Sequence, residues 1–198
     1  TILKINSYNS LMGIKNQSKN GTVKEALRLG CTAVGFTIYP GSDHQYEMIE
    51  EFKEISLEAA EYGLPSVLWS YPRGPEISKE AETSIDTISY AAHIAALLGA
   101  HIIKVKPPTS SITESSMKEN YDALTNLNSL SERIKHIKKC AFNSKRIVVF
   151  SGGNAKGDEE ILTEIKQIKD GGGNGSIIGR NSFPVSYTHL TLPTRRGG

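Results

Sequence analysis

Long apolar runs are missing from this sequence. No stretch of the 198 residues approaches the roughly 18 consecutive apolar residues that a membrane-spanning helix requires. The opening Thr1-Ile2-Leu3-Lys4-Ile5-Asn6 lacks the basic region and following apolar stretch of a secretory signal and reads as a strand that starts at once. Charge of one sign is scarce as well. Lys and Arg total 23 against 21 Asp and Glu, a formal +2, too small for the basic footprint of a nucleic-acid binder. The only two cysteines, Cys31 and Cys140, form no motif and are expected as reduced thiols of a cytoplasmic protein. His44, His93, His101, His136 and His189 show no ligand-like spacing with Asp, Glu or Cys, so no metal is expected. No G-x-G-x-x-G follows the first strand-like run, which removes support for a dinucleotide fold.

What is present fits one domain with a real core, at 38% hydrophobic residues. The last stretch, residues 184–198 (Pro184 to Gly198), has no periodicity and an abrupt change of composition. It resembles an adapter-derived translation and is set apart as non-native, leaving residues 1–183 as the folding unit. Without Arg195 and Arg196 the basic count falls to 21, equal to the acidic count.

Within residues 1–183, β-branched apolar runs alternate with helical patterns. Strands are predicted at 2–6, 33–39, 65–71, 101–106, 146–150 and 176–179, and helices at 22–29, 45–62, 83–98, 120–139 and 158–169. Thr22 followed by Glu25 marks a helix start. Gly30, Gly63 and Gly99 mark helix stops. Strict β/α alternation predicts a parallel sheet with crossover helices. Two arrangements remain open, a doubly wound sheet and a closed TIM (β/α)8 barrel. Since a full barrel takes about 250 residues, six strands suit a barrel without its first two strands and final helix.

In a barrel, chemistry sits at the C-terminal strand ends. On the strand ending at Lys106, Ile102, Lys104 and Lys106 share one face. A lysine on a buried strand is costly unless paired or functional. Low dielectric and a nearby like charge both depress a lysine pKa and make the amine nucleophilic. On the strand alone, a salt-bridged structural Lys104 is the competing reading. The strand before it ends Trp69-Ser70-Tyr71-Pro72-Arg73-Gly74. Trp69 and Tyr71 again share a face, as a pocket wall and a proton-transfer group or simply as a core aromatic pair. The last two strands end in Ser151-Gly152-Gly153 and Gly179-Arg180-Asn181. Backbone N–H groups there, with Arg180, can cradle a phosphate, at the positions where barrels commonly carry phosphate sites. The alternative is that the glycines only make turns.

Taken in order, Ala33 to Ser42, Trp69 to Gly74, Gly99 to Lys104, Ser151-Gly152-Gly153 and Gly179-Arg180-Asn181 resemble the DhnA-type (archaeal-type) class I fructose-bisphosphate aldolase family. The likeness runs from about residue 2 to Phe183. It implies cleavage of fructose 1,6-bisphosphate to dihydroxyacetone phosphate and glyceraldehyde 3-phosphate, in glycolysis or gluconeogenesis, with no metal or other cofactor beyond a covalent lysine imine. It further implies Lys104 as the imine lysine, Tyr71 as acid/base, Trp69 and Arg73 in the substrate pocket, and Ser151, Gly152, Gly153, Gly179 and Arg180 as phosphate contacts. A phosphorylated sugar is the implied partner, within a homo-oligomer and away from nucleic acid and membrane. Alternatives are a family member making an amino-dideoxy-heptulosonate, a thiolase of phosphorylated autoinducer-like sugars, or a phosphate-binding barrel without lyase activity. The family's first strand carries an acidic residue, and this sequence starts after it. Open sheet edges then predict poor stability and weak activity for this polypeptide.

Other features read as structural. Lys4 either faces the barrel or forms an ion pair. His93 is packing or surface. Glu47 to Glu58 and Arg133 to Lys139 read as solvated helix faces. Gly171-Gly172-Gly173 reads as a helix stop.

Overall fold

The computed structural model describes residues 1–9, 11, 13–124, 127–152 and 157–177. In chain order the strands and helices are β1 (Ile2–Lys4), β2 (Asn6–Ser7), β3 (Ser18–Lys19), α1 (Val23–Arg28), β4 (Ala33–Ile38), α2 (Gln45–Glu61), β5 (Ser66–Ser70), α3 (Ile85–Leu97), β6 (Ile102–Val105), α4 (Lys118–Leu124), α5 (Leu130–Cys140), β7 (Ile147–Ser151), α6 (Asp158–Asp170) and β8 (Gly175–Ile177).

The main sheet has the order β1-β4-β5-β6-β7-β8, with every pairing parallel. Each strand lies beside the previous sheet strand and the order never reverses. A doubly wound sheet needs a reversal point, so this order selects the barrel arrangement over the open one.

The two sheet faces are chemically distinct. Val34, Phe36, Ile38, Leu68, Ile103, Val105, Val148 and Phe150 are buried and share one core cluster with Phe52 and Ile55 of α2, Ile88 and Ala92 of α3, and Ile134 and Ile137 of α5. These residues alternate along the strands, so the helices cover a single face. The other face carries Ile2, Trp69, Lys104 and Ser151 and is partly open to solvent. Ile2 and Ile147 toward the strand N-termini and Ile177 beside Ser151 are each 40–46% exposed on that face.

Local signals explain the helix limits. Thr22 caps α1 by accepting the Glu25 amide at 3.1 Å. Gly30, Gly63 and Gly99 adopt positive φ just past their helices. Gly171 ends α6, as expected, because a side chain there would collide with the Ser131 carbonyl and Ile134 of α5.

Three expectations need correction. The run at 2–6 divides: Asn6 leaves the parallel ladder and pairs in a small antiparallel hairpin of β2 with β3. Its buried side-chain amide instead donates to Thr37 O and accepts Thr37 N, both at 2.8 Å, which satisfies the Thr37 backbone polar groups of β4 as a strand would. The helical stretch at 120–139 is two helices. Ser129 starts the second by accepting the Glu132 amide at 3.2 Å. The basic run from Arg133 to Lys139 is not a uniformly solvated face. Lys138 is buried and donates to Arg146 O at 2.8 Å and Asn174 Oδ1 at 2.6 Å. Arg133 donates to Pro108 O at 2.9 Å and Leu127 O at 2.6 Å.

Candidate active site

The parallel register sets Thr37, Trp69, Lys104 and Val149 side by side on β4, β5, β6 and β7. Tyr71 and Ser151 stand one layer nearer the C-terminal mouth. A two-residue repeat on paired strands thus brings residues from distant parts of the chain to one place.

Lys104 Nζ lies 5.7 Å from the Trp69 ring centroid and 5.9 Å from that of Tyr71. Burial lowers its pKa below the ordinary lysine value. The ring contacts sit at the outer edge of cation–π range, where they return little of the lost hydration. Burial is the cause, rather than a like charge. Lys106 is neutralised by the buried carboxylate of Glu82, with Nζ 2.6 Å from Oε2. Among the described residues no carboxylate pairs with Lys104, so the salt-bridged reading of this lysine does not hold.

Trp69 has room because β4 carries Gly35 beside it. A Cβ on Gly35 would come 2.5 Å from Trp69 Cζ3 and 2.8 Å from Cη2. Gly35 went unremarked in the sequence, although a glycine inside a strand is a recognised sign of close approach.

Burial pushes the Tyr71 phenol far above its usual range, against the pull of the Arg73 charge and a hydrogen bond from Ser151. Tyr71 therefore stays protonated at neutral pH. The Arg73 guanidinium lies 5.1 Å from the Tyr39 ring and 6.0 Å from the Tyr71 ring, and its Nε has no protein partner among the described residues. The segment holding it is fixed to the neighbouring loop. Tyr71 N donates to Ile38 O at 3.2 Å and Arg73 N to Pro40 O at 3.0 Å. Gly74 packs directly on Gly41, where a side chain would overlap the Gly41 carbonyl.

Gly152 is committed differently from expectation. Its N–H donates to Ile177 O at 3.1 Å, extending the β7–β8 pairing, so that amide is not a free anion donor. Ser151 presents its hydroxyl beside Tyr71. Gly153, Gly179 and Arg180 lie outside the described residues.

Lys4 forms no ion pair among the described residues. Its Nζ donates to neutral oxygens, Asn6 O, Asn6 Oδ1 at 3.2 Å and Gln17 Oε1 at 3.0 Å. Burial lowers its pKa to about 8. Gln17 continues to the Tyr39 hydroxyl at 2.5 Å, so the hairpin braces the ring on which Arg73 rests. His93 is a packing residue, with Nδ1 3.0 Å from Cys140 O and its ring edge-on to Phe142.

Sheet order and helices packed on one face define an incomplete (β/α)8 barrel, six parallel strands of it among the described residues, and Lys104 lies near two aromatic rings toward the C-terminal strand ends, where barrels carry their sites. The chain belongs to the DeoC/LacD family of aldolases, whose family model matches residues 1–184.

Relatives agree with the resemblance read from the motifs. The class 1 fructose-bisphosphate aldolase of Halobacterium salinarum is 36% identical over 181 residues, which is 91% of this chain and 60% of that protein. That of Thermoproteus tenax is 35% identical over 182 residues, with the same coverage. A solved archaeal fructose-1,6-bisphosphate aldolase, with its catalytic lysine covalently bound to the carbinolamine intermediate, is 33% identical. It superposes with a TM-score of 0.75 over 91% of this chain and 63% of its own. The aldolase of Slackia heliotrinireducens is 26% identical, with a TM-score of 0.78 over 93% and 56% of the two chains. This chain thus spans about three-fifths of the length of its curated relatives.

Among the described residues no helix is long and apolar enough to cross a membrane.

Proposed function

We propose that the protein is a Schiff-base fructose-1,6-bisphosphate aldolase with Lys104 as the imine lysine. The observation that carries this reading is the Lys104 amine, unpaired by any carboxylate among the described residues, half-buried between Trp69 and Tyr71. The free amine attacks the C2 carbonyl of the ketose. Loss of water from the carbinolamine leaves a protonated imine, which accepts the electron pair released when C3–C4 breaks. The C4 hydroxyl gives its proton to solvent as it becomes the aldehyde, and glyceraldehyde 3-phosphate leaves. The remaining enamine carbon takes a proton, and Tyr71, protonated at neutral pH, is placed to supply it. Trp69 walls the pocket. Arg73 and Ser151, with Gly153, Gly179 and Arg180, contact phosphate, and Gly152 shapes that loop. Imine chemistry needs no metal.

On this reading the enzyme serves glycolysis or gluconeogenesis as a cytoplasmic homo-oligomer. Residues 184–198 lie outside the aldolase unit. A second reading is favoured by one relative. The Methanocaldococcus jannaschii protein, described as a fructose-bisphosphate aldolase/6-deoxy-5-ketofructose 1-phosphate synthase, is 33% identical over 189 residues. A related sugar-phosphate synthesis through the same lysine is its counterpart here.

Borohydride trapping tests the reading. With dihydroxyacetone phosphate, a reduced adduct is expected on Lys104 and is expected to form equally in EDTA. No adduct on a folded protein, or one on Lys106 alone, would overturn it.

A further inference from the structure

The end of β6 presents two lysines, Lys104 and Lys106, two residues apart and so on one side of the strand. An imine-forming enzyme with two such amines needs only one to be nucleophilic. The molecule treats them differently. Lys104 meets aromatic rings. Lys106 meets Glu82, whose side chain is 8% exposed and whose Oε2 lies 2.6 Å from Nζ.

Glu82 is fixed in place. It belongs to a short 3-10 turn, Ala81–Thr83, directly before α3. That turn is stitched to the loop following Lys106. Thr109 N donates to Thr83 O at 2.7 Å, Ile85 N to Ser111 O at 3.0 Å, and Thr113 Oγ1 to Ser84 Oγ at 2.7 Å. The α3 carboxylate of Asp86 accepts the Thr113 and Glu114 amides at 3.0 and 2.9 Å. The other Glu82 oxygen is taken by the outlying Lys79 at 2.8 Å. Burial raises the Glu82 pKa, but the bonds and charges of Lys106 and Lys79 outweigh it and hold the carboxyl below its usual value. The carboxylate is therefore ionised at neutral pH.

We propose that Glu82 is a positioning residue that decides which lysine forms the imine, by tethering the Lys106 amine in an ion pair away from the substrate carbonyl. An amine tied into a close ion pair with a buried carboxylate is not free to approach a carbonyl carbon. The inference rests on the imine reading above and adds the source of its regiochemistry. The trapped step balances simply. The lysine nitrogen bonds to the ketose carbonyl carbon, the oxygen leaves as water, and borohydride delivers hydride to the imine carbon, leaving a stable secondary amine.

The test traps full-length protein with dihydroxyacetone phosphate and borohydride and maps the labelled peptides. Unsubstituted protein is expected to carry label on Lys104, and its absence there would sink the imine reading itself. Lys104→Met is expected to leave Lys106 unlabelled. The double variant Lys104→Met with Glu82→Gln is expected to move the label to Lys106, and Glu82→Asp in the same background to suppress it again. A structural role for Glu82 would not move the label from one lysine to another. Labelling of Lys106 in Lys104→Met with Glu82 intact would overturn the proposal, whether or not the double variant folds. Lack of label in a double variant that keeps its circular-dichroism spectrum would overturn it equally.

Discussion

The Trp69 indole occupies the space that a side chain on Gly35 would fill, with its ring 2.5 Å from that absent Cβ position. The close approach sets the wall against which the Lys104 amine lies. Gly35→Ala is expected to push the ring toward the amine, at a cost of about 1–3 kcal/mol if the strand holds. Trp69 is the only tryptophan, so its emission reads this one place. A shifted emission maximum together with slower borohydride trapping is the expected result; an unchanged spectrum would show that the ring has other room.

Tyr71→Phe separates imine formation from proton transfer. The phenol keeps its proton at neutral pH, and its loss is expected to lower cleavage by about 10²–10⁴-fold. Trapping on Lys104 should persist, because attack on the carbonyl needs only the amine. Equal loss of both would assign Tyr71 to binding instead.

The pH dependence follows from burial of Lys104. Its lowered pKa puts more free amine at neutral pH than an ordinary lysine has. Trapping is therefore expected to rise with pH along a limb below the usual lysine value of 10.5. Trp69→Ala admits water to the ammonium, favours the charged form and should move that limb upward. A limb unmoved by this substitution would count against desolvation as its cause.

On the helix-covered side of the sheet, Asn174 holds two buried donors. Its Oδ1 accepts Lys138 Nζ at 2.6 Å and Val148 N at 2.9 Å. Asn174→Ala strands both, one of them charged, and is expected to cost on the order of 2–3 kcal/mol in urea unfolding. Lys104 projects from the other face of the sheet, so trapping on the folded protein should be unchanged. Lys138→Met in the same background should recover part of the loss.

The alternation of strands and helices, and the shared face of Trp69, Tyr71 and Lys104, were legible because a period of two needs no tertiary knowledge. The capping pattern Ser129-Leu130-Ser131-Glu132 was legible too, and reading it would have divided the long helix correctly. Other features depend on partners remote in sequence. Nothing around Lys106 says that Glu82, 24 residues earlier, will neutralise it. Nor does the basic run near Lys138 show that one member turns inward to Asn174, 36 residues on. The Asn6 amide standing in for a strand at Thr37 is likewise a long-range fit.

The packing of Gly74 on Gly41 bears on how such a protein can change over generations. Two neighbouring loops joined backbone to backbone, with Arg73 tied to Pro40, leave no slack for an inserted residue in either. Length variation is expected to collect in the excursion between Glu114 and Ser129, past the bonds that hold the Glu82 turn, where an added turn disturbs neither clamp nor strand register. New substrate preferences would then arise by remodelling that excursion, while the arginine side of the mouth is inherited as a unit.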